Sequence, residues 1–299
     1  LLLIRQLHFI VESSQERRFP MNYINVGKEN STNIDLYYED HGTGKPVVLI
    51  HGWPLSSGSW EKQVTALLSA GFRVITYDRR GFGNSSKPTS GYNYDTLAED
   101  LNKLMIKLDL LNAVLVGFSM GGGEVARYIG AYGTERVGNA VFMAAVPPFL
   151  LKTSDNPAGM DSSVFEGIKQ AILDDRPAFI SNFLSNFYNV DVFGGKMVSD
   201  EVVRLSWNVA AGASPKGTLD CVQAWLTDFR EDLKRIDVPT LVVQGDDDRI
   251  LPFAATGKRI HESVKGSRLV VIEGGPHGIN WTHAEKVNRE LLDFLGIRR

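Results

Sequence analysis

Three residue types that together make an alcohol nucleophilic near neutral pH occur in this chain at the ends of apolar runs. The first is Ser119, inside Gly117-Phe118-Ser119-Met120-Gly121, which fits the pattern G-x-S-x-G. In that pattern the serine occupies a sharp turn between a strand and a helix, and small flanking residues let the turn close. The turn lifts the hydroxyl clear of the backbone, and the N–H groups of the following helix point at the same spot. Five residues alone are a weak signal, because glycine-flanked serines arise by chance. The apolar run 112–116 before it and the helix-period segment 124–132 after it supply the strand and helix that the pattern needs.

A serine hydroxyl also needs a base and an acid to orient that base. Imidazole is the side chain that works as a base near neutral pH, and a carboxylate fixes its tautomer and stabilises the imidazolium. Of the six histidines, His277 alone sits in a glycine-flanked loop, Gly274-Gly275-Pro276-His277-Gly278, directly after an apolar strand. His51 reads as a buttress of its own loop, and His283, at a helix start, as a capping or surface residue. His8, His41 and His261 carry no signal. The apolar strand Leu241-Val242-Val243-Gln244 runs into Gly245-Asp246-Asp247-Asp248, which offers three carboxylates. Asp246 has the position of a turn former, leaving Asp247 and Asp248 as candidates for the orienting acid. The chain order is then Ser, Asp, His, and each group emerges at the carboxyl end of a strand, on one rim.

Acyl transfer at a serine develops negative charge on the carbonyl oxygen, which two preplaced N–H donors must receive. The backbone amide of Met120, next after the serine, is one. The other comes from the loop after the third strand, His51-Gly52-Trp53-Pro54. Pro54 has no N–H to offer, so Trp53 is the candidate. Pro54 also restricts Trp53 to extended conformations, which would aim the Trp53 carbonyl in a fixed direction beside the acyl site.

Positioning these groups requires a sheet. Strands are predicted at 22–26 and 34–39 as an antiparallel pair, then at 46–50, 73–77, 112–116, 140–145, 240–244 and 268–272. Helices are predicted at 60–70, 94–108, 124–132 and 284–295. Strands alternating with helices of this size imply an α/β fold with a mostly parallel, doubly wound sheet covered on both faces. The alternation breaks between Pro147 and Asp237, where amphipathic helices are expected at about 162–175, 177–188, 200–211 and 217–225. The division expected is a core of 21–147 and 237–299 and a helical cap of 148–236. Such an insertion would overhang the crevice at the strands' carboxyl ends, where its large side chains (Phe165, Phe179, Phe183, Phe187, Trp207 and Trp225) would line an acyl or aryl pocket or pack the cap down. Residues 1–20 differ in character and read as an appended or upstream segment without the unbroken apolar core of a signal peptide.

Composition narrows the function classes. The 299 residues are 43% hydrophobic and 22% charged with net charge -3, so no basic excess points to nucleic acid. The single cysteine, Cys221, excludes an internal disulfide framework and points to a reducing, cytoplasmic setting. No apolar run approaches the length of a membrane span, so no membrane partner is expected. A homo-oligomer is compatible with the sequence, which carries no signal for or against it.

His51-Gly52-Trp53-Pro54-Leu55, Tyr77-Asp78-Arg79-Arg80-Gly81-Phe82-Gly83, the run from Gly117 to Tyr128, residues 211–221 and Gly275-Pro276-His277-Gly278 together resemble the cofactor-free (non-haem) haloperoxidase and aryl esterase family of α/β-hydrolases. The resemblance runs from about Ile24 to the C-terminus; the segment before Met21 departs from it. It implies an α/β-hydrolase core with a helical cap and a triad of Ser119, Asp248 and His277, because the third position after Gly245 is the one the family uses. It also implies an oxyanion hole formed by the amides of Trp53 and Met120. The implied activity is hydrolysis of small carboxylic esters, together with peracid formation from hydrogen peroxide and a carboxylic acid, the peracid then oxidising halide. With peroxide as an acceptor, the Trp53 carbonyl directed by Pro54 is a candidate to accept a hydrogen bond from it. No metal or haem cofactor is implied. The rival expectation is a ligand-binding protein of the same fold with slow or absent turnover. Dehalogenases and epoxide hydrolases of this fold are disfavoured, since they carry aspartate where Ser119 stands.

Overall fold

The computed structural model describes residues 22–297. The segment expected at 1–20 lies outside the described residues. Eight strands form one sheet: β1 (Tyr23–Glu29), β2 (Thr32–His41), β3 (Pro46–Ile50), β4 (Arg73–Tyr77), β5 (Ala113–Phe118), β6 (Val137–Met143), β7 (Thr240–Gly245) and β8 (Arg268–Ile272). Their spatial order is β1-β2-β4-β3-β5-β6-β7-β8. β1 pairs antiparallel with β2 and β2 with β4, and every pairing from β4 through β8 is parallel.

The helices are α1 (Glu61–Ser69), α2 (Tyr94–Lys107), α3 (Met120–Tyr132), α4 (Ser162–Phe187), α5 (Val190–Phe193), α6 (Asp200–Ala211), α7 (Pro215–Ala224), α8 (Arg230–Leu233), α9 (Gly257–Ser263), α10 (Ile279–Thr282) and α11 (Ala284–Phe294). The central strands β3, β5 and β7 are apolar along almost their whole length and buried on both faces, as parallel strands covered by helices must be. Two apolar layers result. One contains Val48, Ile50, Leu115 and Phe142 with α2 and α3; the other contains Val47, Leu49, Val116 and Val243 with α1 and α11. Alternate residues of one strand thus face opposite layers.

The strand and helix expectations hold to within a few residues. Two departures bear on the site. The helix expected from Glu124 begins at Met120, because Met120 to Gly123 are already helical despite three glycines of poor helix propensity. Packing overrides propensity here, since all of these residues are buried. The helices expected at 162–175 and 177–188 form one unit, α4, broken at Asp175 (φ -156°, ψ 85°). Pro177 cannot donate to the preceding turn, and Asp175 accepts the Ala178 N–H at 3.0 Å, capping the second half. The short helices α5, α8, α9 and α10 were not predicted; each is only four to seven residues long, too short for a periodic pattern. No helix among the described residues is long and apolar enough to cross a membrane.

Candidate active site

Ser119 leaves β5 at φ 54°, ψ -119°, a backbone conformation that non-glycine residues adopt at a cost of about 1–3 kcal/mol. The neighbours explain how the turn closes around it. A Cβ on Gly117 would lie 2.5 Å from the Gly121 carbonyl oxygen, and one on Gly121 would lie 2.2 Å from that of Ile50. Only glycine fits at either place. The strained residue is held by backbone bonds: its N–H donates to Met143 at 2.9 Å, and its carbonyl accepts from Gly122 and Val146.

His277 is completely buried, and its Nε2 lies 2.9 Å from Ser119 Oγ. Its Nδ1 lies 2.8 Å from Asp248 Oδ2. A carboxylate only accepts, so these partners assign the ring proton to Nδ1 and leave Nε2 to accept from the serine hydroxyl. Asp248 is held in turn: Oδ1 accepts the amides of Ile250 (2.9 Å) and Leu251 (2.8 Å), and Oδ2 also accepts from Gln244 Nε2 at 3.1 Å. β5, β7 and β8 end on the same rim of the sheet, which brings together three groups that lie far apart in sequence.

The other two aspartates do different work. Asp246 accepts the Gly274 amide at 2.6 Å and ties the two loops, as a turn former does. Asp247 accepts from Asn189 Nδ2 at 2.7 Å and has no contact with His277. His51 buttresses its loop as expected, with Nδ1 at 2.9 Å from the Gly52 carbonyl and Nε2 accepting the Arg79 amide at 3.0 Å. Burial, followed by the Arg79 charge, holds its pKa well below the usual 6.5, so it is neutral. His283, expected to be a capping or surface residue, is half-buried. It stands at the N-cap position of α11, but its side chain caps nothing; it bonds the Thr282 hydroxyl and meets the Phe193 ring edge-on. α10 runs straight into α11, so the His283 amide already donates to Ile279 and needs no side-chain cap nearby.

The amides of Trp53 and Met120 have no acceptor among the described residues. Met120 is the first residue of α3, where an N–H has no intrahelical partner. The Trp53–Pro54 peptide bond is cis. Gly52 brings this loop hard against the serine: a Cβ there would stand 3.0 Å from Ser119 Cβ.

Over Ser119 opens a cavity of about 320 Å³. Of the six large side chains expected either to line a pocket or to pack the cap down, four line it, namely Phe165, Phe179, Phe183 and Trp225. The other two do not. Phe187 instead packs on the His277 ring at 5.0 Å between centroids, and its carbonyl accepts the Gly278 amide. Trp207 donates to the Pro177 carbonyl at the helix break. Trp53 joins the lining, its ring edge-on to Phe183 and Trp225. Charged groups are scarce here; Arg249 at the edge is paired with Asp191 at 2.7 Å. A larger, more open groove of about 640 Å³ beside Glu39, Glu61 and Asp78 is lined by none of Ser119, Asp248 and His277.

Sequence reading overlooked Gln244 and Asn189. Gln244 is a polar residue ending an apolar strand, which was the available signal; buried, it holds Asp248, the Leu251 carbonyl and Thr256 together. Asn189, in the left-handed region at φ 47°, carried no local mark, because its partner Asp247 lies 58 residues away.

The sequence matches the model of a family described as alpha/beta hydrolase fold over residues 45–284. A Synechocystis protein whose assignment as a non-heme chloroperoxidase is provisional is 66% identical over 92% of this chain and 100% of its own. A bifunctional esterase/perhydrolase of Acinetobacter calcoaceticus is 39% identical over 88% of this chain and 96% of its own. Among solved structures, a bromoperoxidase from Bacillus anthracis superposes with a TM-score of 0.89 at 52% identity, covering 92% of this chain and 99% of that one.

Proposed function

The chain belongs to the alpha/beta hydrolase fold family, and we propose that it is a serine hydrolase of small carboxylic esters that also passes acyl groups to hydrogen peroxide. One observation carries the reading: Ser119 Oγ, His277 and Asp248 form an unbroken hydrogen-bonded chain of 2.9 and 2.8 Å, buried at the foot of an apolar cavity. The names of the similar proteins, chloroperoxidase, bromoperoxidase and esterase/perhydrolase, agree with that chemistry.

In this mechanism His277 Nε2 takes the proton as Ser119 Oγ attacks the ester carbonyl. Asp248 stabilises the imidazolium, and the Trp53 and Met120 amides receive the oxyanion. His277 returns the proton to the leaving alcohol, leaving an acyl ester on Ser119. Water or hydrogen peroxide, deprotonated by His277, then releases a carboxylic acid or a peracid. A peracid released into solution transfers oxygen to bromide or chloride and becomes the carboxylic acid again. Pro54 acts in the choice of acceptor by directing the Trp53 carbonyl toward peroxide. Residues 148–236 act as the cap that supplies the acyl pocket.

The test uses an aryl acetate, a serine-directed phosphonate, and bromide with peroxide. Phenol release, label on Ser119 and peroxide-dependent bromination are expected together. A protein that binds the ester without releasing phenol, and takes no label, would instead be a ligand receptor. Pro54→Leu should raise the ratio of hydrolysis to perhydrolysis; an unchanged ratio removes Pro54 from the mechanism.

A further inference from the structure

Beneath the oxyanion loop lies a charge that stability alone does not explain. Arg79 is 1% exposed and Glu124 is 0% exposed, and they pair with each other. Removing two charges from water costs more than their attraction commonly returns, so apolar residues of the same volume would serve the core as well or better. What distinguishes the pair is what its ends hold. Glu124 lies one helical turn after Met120 on α3. Its Oε1 accepts from Arg79 Nε and its Oε2 accepts from the Tyr77 hydroxyl at 2.6 Å. Arg79 Nη2 donates to the His51 carbonyl at 2.7 Å, and the Arg79 amide donates to His51 Nε2 at 3.0 Å. With Nε2 accepting, His51 carries its proton on Nδ1 and donates it to the Gly52 carbonyl at 2.9 Å. The next residue is Trp53.

We infer that Arg79 and Glu124 are positioning residues for the oxyanion hole: the pair ties the helix that begins with the Met120 amide to the loop that carries the Trp53 amide. The inference rests on the reading of those two amides as oxyanion donors. Contact limits how near the two parts come, because a Cβ on Gly121 would already stand 2.2 Å from the Ile50 carbonyl oxygen and 3.0 Å from that of His51. The ion pair limits how far they separate. Between these limits the two donors are held at one spacing, so that a donor set matched to the oxyanion need not rearrange as charge develops. An interaction that strengthens only in the transition state appears in kcat and leaves KM nearly alone.

The decisive variant is R79M/E124L, which removes both charges and keeps an apolar core. Its kcat per phosphonate-titratable site should fall about 10- to 100-fold, the scale of a misplaced catalytic group, with KM within about threefold of the parent. Affinity for an aryl trifluoromethyl ketone, whose hemiketal oxyanion on Ser119 occupies the hole, should fall by the same factor. The pH midpoint of the rate should stay put, since base and acid are untouched. Arg79→Lys provides a second measurement that does not depend on folding of the double variant: it keeps a charge opposite Glu124 but lacks the fork that reaches His51 as well. It should show the same split between kcat and KM. A folded variant with the parent's kcat per titrated site overturns the inference, and so does a loss confined to the number of titratable sites. Parent protein that takes no phosphonate label would sink the catalytic reading itself, a different result from either.

Discussion

Ser119 Oγ and His277 Nε2 stand 2.9 Å apart across 158 residues of chain, with Phe118 and Phe187 packed on the imidazole at 5.1 and 5.0 Å. The ring is gripped with Nε2 facing the Ser119 hydroxyl. Ser119→Ala and His277→Ala should therefore each lower kcat on an aryl acetate by about 10⁴-fold or more, and the double variant should lose little beyond either single one, because the two act as a unit. Steady-state kinetics on the three variants checks this; additive losses would show that the residues act independently.

Asp248 and Asp247 are neighbours in sequence with opposite expectations. Asp248→Asn would offer the imidazole an amide and favour the wrong tautomer, lowering kcat by about 10⁴-fold. Asp247 only anchors Asn189 and stands 3.8 Å from Arg249, so Asp247→Asn should leave kcat within about threefold, the scale of a partly exposed contact. Equal losses in the two variants would contradict the assignment of the orienting acid.

Phe179 lines the cavity, whereas Phe187 packs on the His277 ring. Phe179→Ala should widen the pocket and shift preference toward longer acyl chains, by up to about 0.8 kcal/mol of transition-state binding, roughly fourfold in kcat/KM, for each added methylene that finds room. Phe187→Ala should lower kcat for all chain lengths without shifting the preference. A series of p-nitrophenyl esters run on both variants separates the two roles.

Burial and the Arg79 charge depress the pKa of folded His51 well below 6.5, its ordinary value, against a smaller opposing pull from the Gly52 carbonyl. The unfolded chain takes up a proton there near pH 6.5, and the folded chain does not. The unfolded state therefore binds more protons below that pH, so stability is complete above about 6.5 and declines as the pH falls. Tm of the parent should drop more steeply from pH 7 to 5.5 than Tm of His51→Gln. Parallel slopes would mean that His51 titrates in the fold as it does in the unfolded chain.

The sequence by itself determined the alternation of strands and helices and the candidates at the strand ends, because these are local patterns. Leu241 to Gln244 is apolar along its length and must be a buried strand, and Gly117 to Gly121 must turn sharply wherever it lies. Even the break in α4 was legible, since proline acts on its own preceding turn. Tertiary structure decided which of three consecutive aspartates meets His277, that Phe187 supports the imidazole while Phe183 faces the cavity, and that Arg79 joins His51 to Glu124. Each of those depends on side-chain direction at a point where distant segments meet. A shift of one residue along a loop turns a side chain to another face, and no local preference records which neighbour will be there.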